Sequence, residues 1–82
     1  EELRQHLLSQ LQTLQQHELP MQSAAYLSFI QEELQNDQPR LVILGTIIRS
    51  LREALVHTKL ESAIDTFSAQ CWEFIDRMSH DK

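Results

Sequence analysis

The chain has 82 residues, and its twelve acidic and seven basic side chains give a formal net charge of −5. This charge repels a phosphate backbone at long range, which argues against nucleic acid as a partner. A single glycine leaves no glycine-rich phosphate loop and too few turn residues for a β-rich fold. A single cysteine excludes an intramolecular disulfide.

The length fits one domain, near the small end of what holds a core unaided, so we expect residues 1–82 to form a single helical domain. Some help from a partner or a second copy is plausible at this size. The chain begins at Glu1 and not at a methionine, which we interpret as a piece cut from a longer protein or a processed chain. No apolar run approaches the roughly 18 residues that span a bilayer, and no signal peptide is visible. We therefore expect a soluble, cytoplasmic chain.

Apolar residues at helical spacing predict the first two helices, over about residues 2–17 and 20–35. The first helix places Leu3, Leu7, Leu11 and Leu14 on one narrow face. Pro20 suits the first turn of the second helix, because a proline lacks the N–H that has no helical partner there. The string "QNDQP" ends this helix, since Asn and Asp favour turns and a proline disfavours a helical conformation at the residue before it.

A third and a fourth helix are predicted over about residues 39–57 and 59–79. Both carry an apolar face suited to the core of a bundle. The face of the third contains Leu44, Ile47, Ile48, Leu51 and Leu55, flanked by Leu41 and Ile43. That of the fourth contains Leu60, Ile64, Phe67, Cys71, Phe74 and Met78.

The string "ALVHTKLESA", residues 54–63, contains neither glycine nor proline, so one long helix could run through it. In such a rod, the apolar stripes before and after this string would lie on widely different faces, whereas a turn lets both meet one core. Thr58 and Glu61 have the spacing of a capping box at a new helix start. His57 would then end the preceding helix, where the helix dipole favours a cation. We predict a tight turn at "VHTK"; one rod in an intertwined dimer is the alternative.

Candidate binding residues are those that do not fit the core stripes. Trp72 lies about 60° beyond Ile75 on the fourth helix; it would either cap the core against helix one or two, or bind a partner. Met21 and Phe29, with Ala25 between them, form a second apolar face of helix two, roughly opposite Tyr26, Leu27, Ile30 and Leu34. A helix that is apolar on two sides is either central in its bundle or in contact with a second molecule. Helix three has an outer strip that contains Val42, Gly45, Arg49, Arg52 and Val56, which suits either solvent or another helix with carboxylates.

The sequence contains few of the residue patterns that indicate a catalytic or metal-binding site. The four histidines, His6, His17, His57 and His80, include no pair at the spacing of a zinc-binding helix. Cys71 falls on the core stripe, where a thiol is typically inert. Arg40, Arg49, Arg52 and Lys59 spread around the helical wheel and form no continuous basic stripe, so helical nucleic-acid binding is a weak alternative.

Two strings resemble those of phosphotransfer domains. "HTKLESA" at His57 is similar to the histidine-leucine-lysine-glycine pattern of histidine phosphotransfer bundles, with lysine and leucine exchanged and Glu61 in place of the glycine. "HELP" at His17 resembles the H-E-L opening of the dimerising helix of sensor kinases, without the arginine and threonine before its proline. A glutamate beside the acceptor would repel an incoming phosphate. This resemblance implies histidine phosphotransfer as the enzymatic alternative.

The sequence thus predicts an all-α bundle of four helices with short connections, acting as a non-catalytic protein-interaction or self-association (dimerisation) module of a larger protein. The partner would be another protein or a second copy. The predicted partner-binding residues are Trp72, Phe29, Met21, Arg49 and Arg52. The leucine face of helix one is a further candidate contact, in cis or in exchange between copies. We expect no catalytic residue, metal, cofactor or small-molecule ligand, and no membrane or nucleic-acid partner.

Overall fold

A computed structural model describes residues 2–80, which form four helices and no strand. The helices are α1 (Glu2–Gln15), α2 (Met21–Gln35), α3 (Leu41–Ala54) and α4 (Glu61–His80). The predicted all-α fold of four helices is confirmed. Two of the eight predicted ends, the start of α1 and the end of α2, coincide with the observed ones, and the other six differ by one to three residues. Pro20 is the N-cap residue of α2: its own backbone is not helical, but its carbonyl accepts the N–H of Ala24 at 3.0 Å. Arg40, in an extended conformation, is the N-cap residue of α3.

Each helix packs against the helices before and after it in the chain, and α4 also packs against α1, so that the four form a closed ring. Their short connections make neighbouring helices antiparallel. The α1–α2 and α3–α4 connections therefore lie at one end of the bundle, which we call the two-turn end. The opposite end carries the α2–α3 connection, the start of α1 and the end of α4.

The core is built from the predicted apolar faces. Helix α1 docks on its own chain through three of its four stripe leucines, which leaves little of that face for a second molecule. Helices α3 and α4 contribute most of the stripes expected from their spacing. Of the predicted members, Ile47, Leu60 and Met78 are only half-buried, and Ile43, which flanks the α3 stripe, is 39% exposed. The buried apolar residues are Leu7, Leu11, Leu14, Leu27, Ile30, Leu34, Leu44, Ile48, Leu51, Leu55, Ile64, Phe67, Cys71 and Phe74.

Arg4 adds a polar tie that the leucine pattern of α1 does not reveal. Its Nη1 donates to the carbonyl oxygens of Leu34, at 2.5 Å, and Asn36, at 2.7 Å, at the end of α2. Its guanidinium lies 5.3 Å from the ring centroid of Phe74 on α4. One side chain of α1 thus contacts both neighbouring helices, and it satisfies carbonyls that a helix end leaves without a partner.

The chain turns between α3 and α4, which excludes the single rod within the described residues. Thr58 Oγ1 accepts a hydrogen bond from the N–H of Leu60 at 3.2 Å, and Glu61 Oε1 accepts one from the N–H of His57 at 3.1 Å. The glutamate therefore reaches one residue further back than in a capping box, where it would bind the N–H of Thr58. His57 was expected to end α3, but it lies beyond that helix with φ of 66°, in the left-handed region.

Replacing His57 with glycine is expected to raise the free energy of unfolding by about 0.5–1 kcal/mol, because glycine adopts a positive φ without a steric penalty from Cβ. Urea denaturation monitored by circular dichroism measures the change. His57→Ala is the matched control, since it removes the imidazole but keeps Cβ. Equal stability of the two variants would contradict the prediction.

Candidate protein-binding surface

Trp72 lies directly on the backbone of α3. Gly45, the only glycine of the chain, sits in the middle of that helix, and a Cβ added to it would lie 2.7 Å from Cη2 of the indole and 3.1 Å from Cζ3. An ordinary residue at this position would therefore displace the ring. The expectation that Trp72 would cap the core against helix one or two is wrong, because its neighbour is helix three.

Arg49, one turn along α3 from Gly45, covers part of the exposed indole. Its Cζ lies 5.3 Å from the ring centroid of Trp72, which is the geometry of a cation–π contact. Arg49 forms no ion pair with any residue from 2 to 80. Trp72 nevertheless remains 37% exposed. An aromatic ring and a cation that has no carboxylate partner within the described residues thus lie together on the outer surface of the bundle.

These two residues belong to a shallow groove of about 290 Å³ between α3 and α4, which we call the Trp72 groove. Its most exposed apolar wall is Val42, whose residue surface is 84% accessible. Apolar groups dominate the lining, which also includes the hydroxyl residues Thr46 and Ser79. The residues that line it are Leu41, Val42, Gly45, Thr46, Arg49, Trp72, Ile75 and Ser79.

Arg52 lies on the same seam between α3 and α4, nearer the two-turn end. Its Nε donates to Oδ1 of Asp65 at 2.8 Å, and both side chains are exposed. A second depression of about 330 Å³ follows here, lined by this pair together with Glu53, Val56 and Glu61. The seam is therefore apolar around Trp72 and charged further along.

The other two predicted site residues lie elsewhere. Met21 is the first residue of α2, at the two-turn end, and is 89% exposed. Phe29 is half-buried on α2, with Cζ of Arg40 5.4 Å from its ring centroid. Neither residue lines the Trp72 groove. The structure thus brings Trp72 and Arg49 into contact, places Arg52 in a separate depression of the same seam, and leaves Met21 and Phe29 apart from them.

Sequence reasoning missed the contact of Glu33 with Arg40, which joins α2 to the start of α3. Glu33 is only 3% exposed, and its carboxylate accepts hydrogen bonds from the backbone N–H of Arg40 at 2.9 Å and from Nε at 3.1 Å. The hydrogen bond from the Arg40 side chain holds the pKa of Glu33 below its usual value, against the opposing effect of burial. The available signal was spacing, since Glu33 lies three residues after buried Ile30, on the apolar face of α2.

The histidines and the cysteine are dispersed. His17 and His57 both lie in the connections at the two-turn end, whereas His6 is on α1 and His80 ends α4. Residues 2–80 contain no group of three or more His, Cys, Asp or Glu side chains that could hold a metal ion. Burial raises the pKa of the Cys71 thiol to about 12, so this residue is not a thiolate at neutral pH.

None of the described helices is long and apolar enough to cross a bilayer. Comparisons with protein-family models, with curated proteins and with solved structures gave no match to the chain. The functional argument therefore rests on the residues of this chain alone.

Proposed function

We propose that the domain is a non-catalytic protein-interaction or self-association module that binds through the Trp72 groove. The observation that carries the proposal is the placement of a half-exposed tryptophan on the only glycine of the chain. A glycine in the middle of a helix costs about 1 kcal/mol relative to alanine. Helix α3 thus loses stability at the position where the indole approaches its backbone. A binding role for the indole at the surface would account for a glycine at this position.

The chemistry of the groove suits a protein partner. Tryptophan and arginine are enriched among the residues that dominate binding energy at protein interfaces, and here they are in direct contact. Val42 adds exposed apolar area beside them. The Thr46 hydroxyl donates to the Val42 carbonyl at 3.0 Å and can still accept a hydrogen bond, and the Ser79 hydroxyl can donate or accept one. Arg49 can pair with a carboxylate of the partner, since it has no such partner among residues 2–80.

A photo-crosslinking amino acid placed at position 42 tests the proposal in the cells that produce the chain. We expect a covalent adduct with a defined protein, and we expect Trp72→Ala or Arg49→Ala to abolish it. Position 12, exposed on α1 away from the seam, is the matched control and should give no such adduct. An absence of adducts at position 42, or the same adducts at both positions, would overturn the proposal. The histidine phosphotransfer alternative stays a prediction, and no geometric observation favours it.

A further inference from the structure

The outer surface of the α3–α4 seam carries opposite charges on its two sides. The α3 side, which we call the α3 strip, consists of Val42, Gly45, Arg49, Arg52 and Val56, at alternating spacings of three and four. The α4 strip consists of Asp65, Trp72, Asp76 and Ser79, which helical periodicity places on one face within about 60°. Glu53 stands at the edge of the α3 strip, about 20° from Val42, and lines the same depression as Arg52. The charged groups of the α3 strip are therefore cationic, and those of the α4 strip are anionic.

We propose that the partner at this surface is a second copy of the chain, with the α3 strip of each copy packed on the α4 strip of the other. This inference rests on the proposed function. A two-fold axis along the seam produces that arrangement, and each contact then occurs twice. Since α3 and α4 are antiparallel within one chain, α3 of one copy is also antiparallel to α4 of the other.

Two contacts within the chain show which residues of α3 and α4 lie at the same height along the helix axes, which we call the same level of the seam. Gly45 is level with Trp72, and Arg52 is level with Asp65. An axis along the seam preserves these levels, so Asp65 of the second copy faces Arg52 and lies about one helical turn from Arg49. Arg49 thereby gains the carboxylate that it lacks within residues 2–80.

Apolar burial accompanies this charge contact. Val42 is level with Ile75, on the wall of the Trp72 groove, so in the dimer it covers the groove of the second copy. The exposed parts of Val42 and of the indole leave water in both copies. The net charge of −5 on each copy opposes association. The two charge contacts and the apolar burial together have to exceed that repulsion.

Charge reversal tests the arrangement by sedimentation equilibrium from low to high micromolar concentration, with Trp72 emission recorded on the same samples. We expect the wild-type chain to form a dimer that dissociates on dilution as the emission shifts to the red. Arg49→Glu and Asp65→Arg should each weaken self-association at least about tenfold, because each places like charges opposite one another in both contacts. An equimolar mixture of the two variants should associate more strongly than either variant alone, because the charges at positions 49 and 65 are then opposite in both contacts and Arg52 meets a like charge at position 65 in only one of them.

Arg77→Glu and Asp37→Arg are matched reversals outside the two strips and should leave the dimer unchanged; circular dichroism establishes that every variant is folded. A wild-type chain that is monomeric at all concentrations would overturn the inference. So would a mixture that associates no more strongly than the separate variants while the wild type dimerises, because the copies would then meet through another face. Adducts at position 42 with a different protein would retain the proposed function and exclude the second copy as its partner.

Discussion

Replacing Phe67 with alanine is expected to lower the free energy of unfolding by about 3–5 kcal/mol. The ring of Phe67 is 1% exposed and is the largest of the fully buried side chains, so its removal loses the apolar transfer free energy and leaves a cavity that the neighbouring helices fill only in part. A domain of this size is stabilised by roughly 4–12 kcal/mol in total. The loss therefore leaves a marginally folded chain, which urea denaturation followed by circular dichroism will measure.

Phe29→Ala is the matched control for this prediction. It removes the same atoms from a half-buried ring that contacts Arg40 at the surface of α2. The substitution therefore loses less buried apolar area than Phe67→Ala, and water can enter the vacated space. We expect a loss of about 1–2 kcal/mol. Equal losses in the two variants would mean that Phe67 is not part of a close-packed core.

The helices and the core were predictable because both depend on the spacing of apolar residues along the chain. Leu7, Leu11 and Leu14 on α1, and Ile64 and Phe67 on α4, are buried where a period of about 3.6 residues places them. This period is a local property of each helix, and packing against the other helices reinforces it. The turn at His57 was predictable for the same reason, since only a change of direction brings the stripes of α3 and α4 to one core.

The surroundings of Trp72 were not predictable from the helical wheel. Periodicity gives the angle between Trp72 and the core stripe of its own helix, but it does not say which helix lies on that side. The identity of the neighbour depends on whether the four helices follow one another clockwise or anticlockwise around the ring. Short connections are compatible with both arrangements. The isolated glycine of α3 was a usable signal, because Gly45 in the middle of a helix points to a close approach by another group.

The pair formed by Glu33 and Arg40 was beyond prediction for a related reason. Arg40 contacts α2 only because the chain breaks at Asn36 and returns through Pro39, which carries the start of α3 past the last turn of α2. The exact path of such a connection is set by the packing of the two helices that it joins. The place of Glu33 on the apolar face of α2 is a signal that a buried carboxylate there needs a cation or a donor, but the sequence does not show which residue supplies it.

Replacing Glu33 with alanine is expected to lower the free energy of unfolding by about 2 kcal/mol at pH 7. The variant loses the acceptor for the backbone N–H of Arg40, which the start of α3 leaves without a helical partner, and it loses the charge-assisted bond to the guanidinium. The Arg40 side chain is exposed enough to be solvated by water, which limits the loss. Glu32→Ala is the matched control, since Glu32 is the exposed neighbour on the same helix and its removal should change stability little.

The contribution of Glu33 is also expected to depend on pH. Because the folded state holds the pKa of Glu33 below its usual value, the unfolded chain binds more protons than the folded chain as the pH falls through the range of free carboxyl groups. The stabilisation is therefore complete at neutral pH and is lost progressively below about pH 5. Urea denaturation at pH 7 and at a series of lower pH values should show the difference between wild type and Glu33→Ala narrowing with acidification. A difference that stays constant with pH would mean that the carboxylate of Glu33 stabilises the fold through packing alone, and that Arg40 is positioned by the α2–α3 connection instead.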